Sequence, residues 1–215
     1  MYTPAHFAET RPEILHALIN AHPLGTLVTL GSAGLDANHI PFEIDPTPTP
    51  VAPLGTLRAH VARANQVWKD FRADFDSLVI FQGPQAYISP TSYVESKPAH
   101  GKVVPTWNYC VVHVHGALRV IDDRNWLRGQ VERLVRRHEA AQPKPWHVAD
   151  APSDFIEQQL AAIVGIEIPI ARLVGKWKVS QNRPGADRAG VAASLAAGPQ
   201  AESQAMARLV REHGR

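Results

Sequence analysis

The sequence predicts a mainly β (α+β) fold, a small antiparallel barrel with peripheral helices. Short runs of apolar and β-branched residues are joined by tight turns, as in residues 24–30 and 77–83. Apart from one short segment, the stretches with helical periodicity lie at the start, the late middle and the end of the chain. Because strand, helix and strand do not alternate repeatedly, a doubly wound parallel sheet is disfavoured.

The first part of the chain predicts a helix followed by a hairpin. Thr10 and Glu13 have the spacing of a capping box, so a helix is expected over residues 11–21. Residues 24–30 and 35–44 lie on either side of a glycine-containing turn and predict two paired strands.

The rest of the chain continues with strands and four further helical segments. Residues 45–53 hold four prolines and predict an extended loop. The β-type run over residues 103–121 is too long for one flat strand, so Pro105 and Gly116 are expected to mark bends. The remaining predicted elements are strands over 55–61, 77–83, 86–89 and 164–179, and helices over 63–71, from Asp122 or Asp123 to about 139, over 150–163 and from 185 onward.

The composition indicates a soluble globular protein of ordinary size. The chain has 215 residues, 45% of them apolar and 20% charged, and no apolar run is long enough to span a bilayer. No signal peptide is recognisable and Cys110 is the only cysteine, so we expect a cytoplasmic protein without disulfides. We expect one domain over residues 1–195 and a helical or frayed tail over residues 196–215.

Several function classes are disfavoured because their motifs are missing. No G-x-G-x-x-G follows a predicted strand, and neither the phosphate-binding loop nor a G-x-S-x-G motif occurs. A nucleotide cofactor would therefore have to be held by side chains. The formal net charge of +2 is too small for general adhesion to nucleic acid.

Residues 60–65 combine groups that suit a phosphate. They lie where a strand passes into a short helix, and backbone N–H groups there, together with Arg63, Asn65 or His60, form a candidate phosphate site. In the alternative interpretation Asn65 caps the helix and Arg63 is solvated.

Residues 104–109 place a hydroxyl, two aromatic rings and an amide side by side. Strand alternation puts Thr106 and Asn108 on one face and Trp107 and Tyr109 on the other. One face is suited to hydrogen-bond a flat polar ring, while the other is suited to packing. An ordinary core strand with a polar rim is the alternative.

Residues 176–183 are the most polar short stretch of the chain. They hold three cations, one aromatic ring, one hydroxyl and two carboxamides. This exceeds what a core strand needs, so we expect an anionic or planar partner. Alternation places Lys176, Lys178 and Ser180 on one face of the strand.

Three other features have less specific interpretations. His113 and His115 share a strand face, but a third ligand of suitable spacing is missing, so partly buried, hydrogen-bonded histidines are favoured over a metal site. Cys110 has no partner that suggests a nucleophile. The arginine-rich helix near residues 125–139 is interpreted as a solvated face or subunit contact, with a DNA-reading face as the alternative.

Four motifs occur together in one order along the chain. They are His60-Val-Ala-Arg-Ala-Asn65, Phe81-Gln-Gly-Pro84 with Ala86-Tyr-Ile-Ser-Pro90, Gly101-Lys-Val-Val-Pro-Thr-Trp-Asn-Tyr109, and Gly175-Lys-Trp-Lys-Val-Ser-Gln-Asn-Arg183. Over Met1 to about Leu195 the chain resembles the PaiB family, the FMN-binding negative transcriptional regulators. The resemblance implies an FMN-binding split β-barrel, related in fold to pyridoxamine phosphate oxidase and flavin reductases. It also implies a homodimer with FMN at the subunit interface.

The resemblance further implies which residues contact FMN. The loop over residues 63–65 corresponds to the segment that cradles flavin phosphate in split barrels, and residues 38–41 lie on the strand expected beside the isoalloxazine ring. Three residues of the last motif are implied to reach the flavin of the partner subunit. The implied FMN-binding residues are Asn38, His39, His60, Arg63, Ala64, Asn65, Phe81, Gln82, Thr106, Trp107 and Asn108, with Lys176, Gln181 and Asn182 as the three that reach across.

Two functions of different classes stay open. The first is a homodimeric PaiB-type negative transcriptional regulator, in which FMN is sensed or structural and repression acts through DNA or a protein partner. The second is an FMN-dependent oxidoreductase that reduces an unidentified small molecule with a nicotinamide donor. No side chain stands out as an obligatory acid or base, so no catalytic residue is predicted.

Overall fold

The structure is a computed structural model that describes residues 1–213. The chain divides into two compact units that are interleaved along the sequence. The first unit comprises residues 1–22, 81–112 and the chain from 174 onward, and the second comprises residues 23–80 and 113–173. The expected boundary at residue 195 stays a prediction. Of the expected tail, residues 201–212 are helical, and Gly214 and Arg215 lie outside the described residues.

The described residues form ten strands and six α-helices. The strands are β1 (Ala8–Glu9), β2 (Leu24–Gly31), β3 (Gly34–Pro41), β4 (Glu43–Asp45), β5 (Thr56–Ala62), β6 (Ser77–Ile88), β7 (Thr106–Gly116), β8 (Arg119–Ile121), β9 (Ile163–Pro169) and β10 (Arg172–Lys178). The helices are α1 (Pro12–Ala21), α2 (Ser96–His100), α3 (Arg124–Glu139), α4 (Ser153–Ala161), α5 (Gly185–Ala197) and α6 (Ala201–Glu212). No helix within residues 1–213 is both long enough and apolar enough to cross a membrane.

The first unit packs helices against part of an antiparallel sheet. Its strands lie in the order β1-β10-β7-β6, and Ala8 of β1 pairs with Lys176 of β10. Helix α1 buries Leu15 on its apolar face. A Cβ at Gly175 would collide with the Leu15 side chain and with the Glu9 carbonyl, so glycine allows this close approach.

The second unit contains a hairpin and a separate four-stranded sheet. Strands β2 and β3 pair from Leu24 opposite Pro41 to Gly31 opposite Gly34, and β2 also pairs with the start of β6. The four-stranded sheet has the order β4-β5-β9-β8, and all its pairs are antiparallel. Helix α3 packs near this sheet, where a Cβ at Gly165 would collide with the Trp126 ring.

Some local predictions are confirmed and others are wrong. The Asp123 cap of α3 is confirmed, because its carboxylate accepts a hydrogen bond from the Trp126 N–H at 2.7 Å. The Thr10 cap of α1 is wrong, since the N-cap residue is Arg11 and no side chain caps the helix. Instead, the Glu9 carboxylate accepts a hydrogen bond from the Arg11 backbone N–H at 3.0 Å.

Two further predictions concern the extent of elements, and one is wrong while the other is confirmed. The helix expected over residues 63–71 is only the 3₁₀ turn Gln66–Trp68. The long β run bends where it was expected to: β7 ends at Gly116, and β8 begins at Arg119. A Cβ at Gly116 would collide with the Pro169 carbonyl oxygen, so the bend brings two backbones close together.

Candidate functional site

The predicted site residues lie in both units. Those of the second unit are Asn38, His39, His60, Arg63, Ala64 and Asn65, and those of the first unit are Phe81, Gln82, Thr106, Trp107, Asn108, Lys176, Gln181 and Asn182.

In the second unit, Asn65 organises the turn that follows β5. Its Oδ1 accepts a hydrogen bond from the Val67 N–H at 2.9 Å, which caps the 3₁₀ turn. Its Nδ2 donates to Asn38 Oδ1 at 2.8 Å. The capping interpretation of Asn65 is therefore confirmed, and this turn residue is in direct contact with a second predicted site residue, Asn38 of β3.

Arg63 is extensively hydrogen-bonded within the second unit. Its Nη atoms donate to the two carboxylate oxygens of Asp122 at 2.6 and 2.9 Å. Its Nε and Nη2 donate to the carbonyl oxygens of Ala161 and Ile163, at 2.9 and 3.1 Å. Hydrogen bonds from Arg63 lower the pKa of the Asp122 carboxyl. The implied phosphate contact stays a prediction, since most of the guanidinium donors already have partners.

The remaining second-unit residues differ in exposure. His60 is half-buried, and its Nδ1 lies 2.7 Å from Oε1 of Gln130, a fully buried residue of α3. His39 is exposed on β3, opposite Thr26, and Ala64 is exposed in the turn.

In the first unit, a depression of about 290 Å³ lies beside β6 and β7. Its lining includes the carboxamides of Gln82 and Gln85 and the rings of Trp107 and Tyr109. Trp107 is 52% exposed, so an aromatic ring stands open to a ligand. Phe81, in contrast, is fully buried. This volume lies at the lower end of ligand sites, so the depression has room for one ring system.

The end of β10 and the turn after it hold a group of three cations, Lys176, Lys178 and Arg183, which we call the cationic cluster. Of these, Lys176 lies near Tyr109 of the depression. The Lys176 Nζ is 5.2 Å from the centre of the Tyr109 ring, and it donates to the Tyr2 carbonyl oxygen at 3.0 Å. The Lys178 Nζ donates to Thr106 Oγ1 at 2.5 Å. Burial lowers the pKa of Lys178, and the charges of Lys176 and Arg183 lower it further. Within residues 1–213, Lys178 forms no ion pair with a carboxylate.

The turn after β10 is fixed by three side chains. Asn108 Nδ2 donates to Ser180 Oγ at 2.9 Å, and both residues are buried. Ser180 has φ of 66°, a left-handed conformation that costs a non-glycine residue about 1–3 kcal/mol. The Gln181 carboxamide accepts from the Val179 N–H at 2.8 Å and donates to the Trp177 carbonyl at 2.5 Å. Asn182 is exposed. The flavin contacts implied for these residues stay predictions.

Three residues in this region were not among the predicted site residues: Gln85, Tyr109 and Lys178. Two of them were detectable by two-residue alternation, because Tyr109 follows Trp107, and Lys178 follows Lys176, on the same strand face. Gln85 has no comparable signal, since it faces the depression only because β6 and β7 are neighbours.

The less specific features have structural roles. His113 and His115 are half-buried with ring centres 6.4 Å apart, and burial lowers the pKa of both. The expectation that both are hydrogen-bonded is not met by His115, whose buried Nε2 has no partner within residues 1–213. A further cavity of about 360 Å³ between α1 and α6 has a mainly apolar lining that includes Cys110.

The arginines of α3 are largely engaged with carboxylates of the second unit. Arg124 and Arg128 both bind Glu157, at 2.6 and 2.5 Å, and Arg133 binds Glu43 at 3.0 Å. A helix that reads DNA needs free donors directed at the groove. The arrangement therefore favours a solvated structural face over a DNA-reading face.

The first-unit residues have the chemistry that a flat, anionic nucleotide requires. Aromatic rings supply planar contacts, carboxamides match a ring with donor and acceptor edges, and the cationic cluster matches a phosphate. The residues present thus fit a flavin mononucleotide.

Comparison with known proteins agrees with this chemistry. A family model described as "Putative FMN-binding domain" matches residues 1–172. An uncharacterized protein of Emericella nidulans is 36% identical over 245 aligned residues, which cover 100% of this chain and 98% of the relative. Protease synthase and sporulation protein PAI 2 of Bacillus subtilis is 29% identical, covering 99% of this chain and 97% of the relative.

Among solved structures, the FAD and heme binding protein from Mycobacterium smegmatis has a similar fold. It aligns with a TM-score of 0.55 and 15% identity, covering 80% of this chain and 73% of that protein. At this identity the likeness shows the fold alone. It confirms the predicted fold class, a mainly β split barrel with peripheral helices.

Proposed function

We propose that this chain, which belongs to the FMN-binding-domain family, acts as a homodimeric negative transcriptional regulator of the PaiB type. FMN is the cofactor of this family, and the resemblance to PaiB is confirmed by the full-length similarity to the Bacillus subtilis relative. The observation that carries the proposal is the aromatic depression of the first unit, with its two carboxamides and the adjoining cationic cluster.

The residues of this depression have distinct proposed roles toward FMN. Gln82 and Gln85 hydrogen-bond the polar edge of the ring, and Trp107 and Tyr109 form its aromatic walls. Lys176 is held close to Tyr109 and contributes positive charge at the same edge. When bound, FMN supplies the redox chemistry of its ring system. The contacts implied for second-unit residues such as Asn38 and Asn65 stay predictions.

Exposed apolar side chains on the first unit support a homodimer. Tyr87 and Trp107 are 53% and 52% exposed and pack edge-to-face with ring centres 6.1 Å apart. Val94 and Val104 are also more than half exposed. Clusters of exposed apolar residues mark interaction sites on otherwise polar surfaces. The cytoplasm, expected from the sequence, stays part of this proposal.

The regulatory role rests on the relatives and not on a DNA-reading element. The Bacillus subtilis relative is named for protease synthesis and sporulation, which are cellular programmes and not single reactions. Because Arg124, Arg128 and Arg133 of α3 are paired with carboxylates, we propose that repression acts through a protein partner or another surface of the homodimer.

An FMN-dependent oxidoreductase is the second candidate function. It is favoured by the exposure of Trp107, because an open aromatic wall leaves access for a second planar molecule such as a nicotinamide. No acid or base with a fitting position is assigned to this reaction.

A titration with FMN tests the cofactor, and two further measurements separate the functions. Wild-type protein should quench FMN fluorescence with saturation, and a flat titration curve would refute the flavin proposal. For a regulator, transcript levels should rise in a deletion strain and return on complementation, while NADH and NADPH leave the flavin absorbance unchanged. Anaerobic bleaching of the flavin by either dinucleotide would favour the oxidoreductase.

A further inference from the structure

We propose that Lys178, with Thr106, Lys176 and Arg183, forms an anion site in the first unit that binds a phosphate monoester. These four residues are called the anion site below. The inference deepens the proposed function and rests on it where the phosphate belongs to FMN. It assigns Lys178 as the principal donor, a residue outside the implied FMN contacts.

The hydrogen bonding of Lys178 leaves donors for a ligand. Its ammonium group carries three N–H donors, and one of them binds Thr106 Oγ1 at 2.5 Å. The Thr106 hydroxyl accepts this bond and keeps its own hydrogen to donate. Lysine and hydroxyl together therefore offer several donors from adjacent atoms on neighbouring strands.

The charges around Lys178 also favour a bound anion. The residue is half-buried, yet the charged groups that act on its ammonium are the cations Lys176 and Arg183. A partly desolvated cation beside like charges is unfavourable unless an anion compensates it. Arg183 also interacts with Asp187, whose Oδ1 accepts hydrogen bonds from the backbone N–H groups of Glu95 and Ser96. One oxygen of that carboxylate is thus engaged elsewhere, while its buried Oδ2 has no hydrogen-bond partner within residues 1–213.

The backbone next to Lys178 is held in a strained, defined conformation. Ser180 adopts positive φ and is fastened by the buried Asn108 side chain. The Gln181 carboxamide binds the backbone on both sides of Lys178, at Trp177 and Val179. Strain of this kind persists only where surrounding bonds over-determine it, which is common at ligand sites. The turn therefore fixes the position from which Lys178 projects.

The chemistry of the anion site matches a phosphate monoester from one of two sources. A dianion suits a group of three cations, and hydroxyl and ammonium donors suit phosphate oxygens. The phosphate is either that of FMN itself or that of a second ligand that binds beside the flavin.

The test compares Lys178→Met with wild type, Lys178→Arg and the control Lys144→Met, which removes an exposed lysine of the second unit. Affinities for FMN and riboflavin are measured by fluorescence titration, and thermal stabilisation by inorganic phosphate is measured with and without saturating FMN. If FMN supplies the phosphate, Lys178→Met should lower the affinity for FMN about 10- to 100-fold and the affinity for riboflavin less than about twofold. Lys178→Arg should retain most of the preference for FMN.

The other outcomes are also decisive. If a second ligand supplies the phosphate, FMN affinity should be unchanged in Lys178→Met, but stabilisation of the FMN-loaded protein by inorganic phosphate should be lost. An unchanged preference for FMN together with unchanged stabilisation by phosphate would overturn the proposal. Failure of the wild-type chain to bind either flavin would contradict the proposed function, while phosphate stabilisation of the flavin-free protein would still test the anion site. Thr106→Val repeats the test if Lys178→Met does not fold.

Discussion

The thiol of Cys110 lies almost wholly buried in the first unit, with 2% of the residue exposed. Burial raises the pKa of this thiol to about 12, because the thiolate loses its hydration. At pH 8 nearly all of the group is therefore protonated, and the thiol is a poor nucleophile.

We predict that native protein resists alkylation at Cys110. Iodoacetamide at pH 8 should label less than about a tenth of the chains in an hour, whereas one equivalent should react after denaturation. Intact-mass spectrometry measures the extent of alkylation in the native and in the denatured protein, and any label reports on Cys110 because it is the only cysteine. Rapid labelling of the folded protein would show that the thiol is reached through the adjoining cavity.

Arg63 donates hydrogen bonds to Asp122 and to two backbone carbonyls, so its contribution to the stability of the second unit can be tested by substitution. We predict that Arg63→Ala lowers the melting temperature by a few degrees and Asp122→Asn by less, because only Arg63→Ala also leaves the carbonyl oxygens of Ala161 and Ile163 without their donor. In both variants the ratio of FMN to riboflavin affinity should stay near that of wild type. A fall of this ratio in Arg63→Ala alone would instead support the implied phosphate contact.

At the scale of elements, α5 holds the segment before α2 through one buried carboxylate. Asp187 is fully buried, and its Oδ1 accepts hydrogen bonds from the Glu95 and Ser96 N–H groups at 2.9 and 3.2 Å. Gly190 on the same helix allows close packing, since a Cβ there would collide with the Ser92 carbonyl. Helix α5 and the segment before α2 are therefore packed closely against each other.

Asp187 should also make stability depend on pH. Burial raises the pKa of the carboxyl, but hydrogen bonds from Ser96 and Glu95 and the charge of Arg183 outweigh it, so the net pKa is lowered. The stabilisation is therefore present above the ordinary value of 3.8 and is lost as the pH falls through the lower folded pKa.

We predict that Asp187→Ala lowers the free energy of unfolding by about 1–3 kcal/mol at pH 7. Asp187→Asn keeps an acceptor oxygen without the charge, so it should lose less unfolding free energy at pH 7 than Asp187→Ala. Below pH 4 its stability should decline less than that of wild type. Urea denaturation at pH 7 and in acid measures both effects. Equal acid sensitivity of Asp187→Asn and wild type would contradict this assignment.

Elements defined by local chemistry could be predicted from the sequence, whereas those decided by long-range contacts could not. Asp123 caps α3 through its own neighbouring backbone, and Gly116 marks the bend at the end of β7. The start of α1 could not be predicted, because Glu9 forms a hydrogen bond that competes with capping by Thr10. The helix expected over residues 63–71 shortens to one turn, in which Asn65 also binds Asn38 of β3.

At the scale of the whole molecule, the long-range contacts of the candidate site could not be predicted from the sequence either. The chemistry of residues 104–109 and 176–183 was evident from residue types, but the bonds between these stretches were not. Thr106 meets Lys178, and Asn108 meets Ser180, only because β7 and β10 are neighbours. A residue such as Lys178 therefore gains its significance from a contact across 72 positions of sequence.

A homodimer with FMN at its interface would couple the two binding equilibria. If FMN binds the dimer more tightly than the monomer, it strengthens dimerisation by the same factor, because linkage is reciprocal. We predict that Tyr87→Glu, which places a charge in the exposed aromatic pair with Trp107, weakens dimerisation and weakens FMN binding in proportion. Val51→Glu, at an exposed site of the proline-rich loop, is the matched control and should change neither.

Sedimentation equilibrium at several protein concentrations, with and without FMN, measures the dimer, and fluorescence titration measures the cofactor. If the loss of FMN affinity in Tyr87→Glu acts through dimerisation, raising the protein concentration should restore it, because mass action repopulates the dimer. A loss that persists at every concentration would mean that Tyr87 supports the Trp107 wall directly. A wild-type chain that stays monomeric at all concentrations, with FMN bound, would refute the interface location of the flavin.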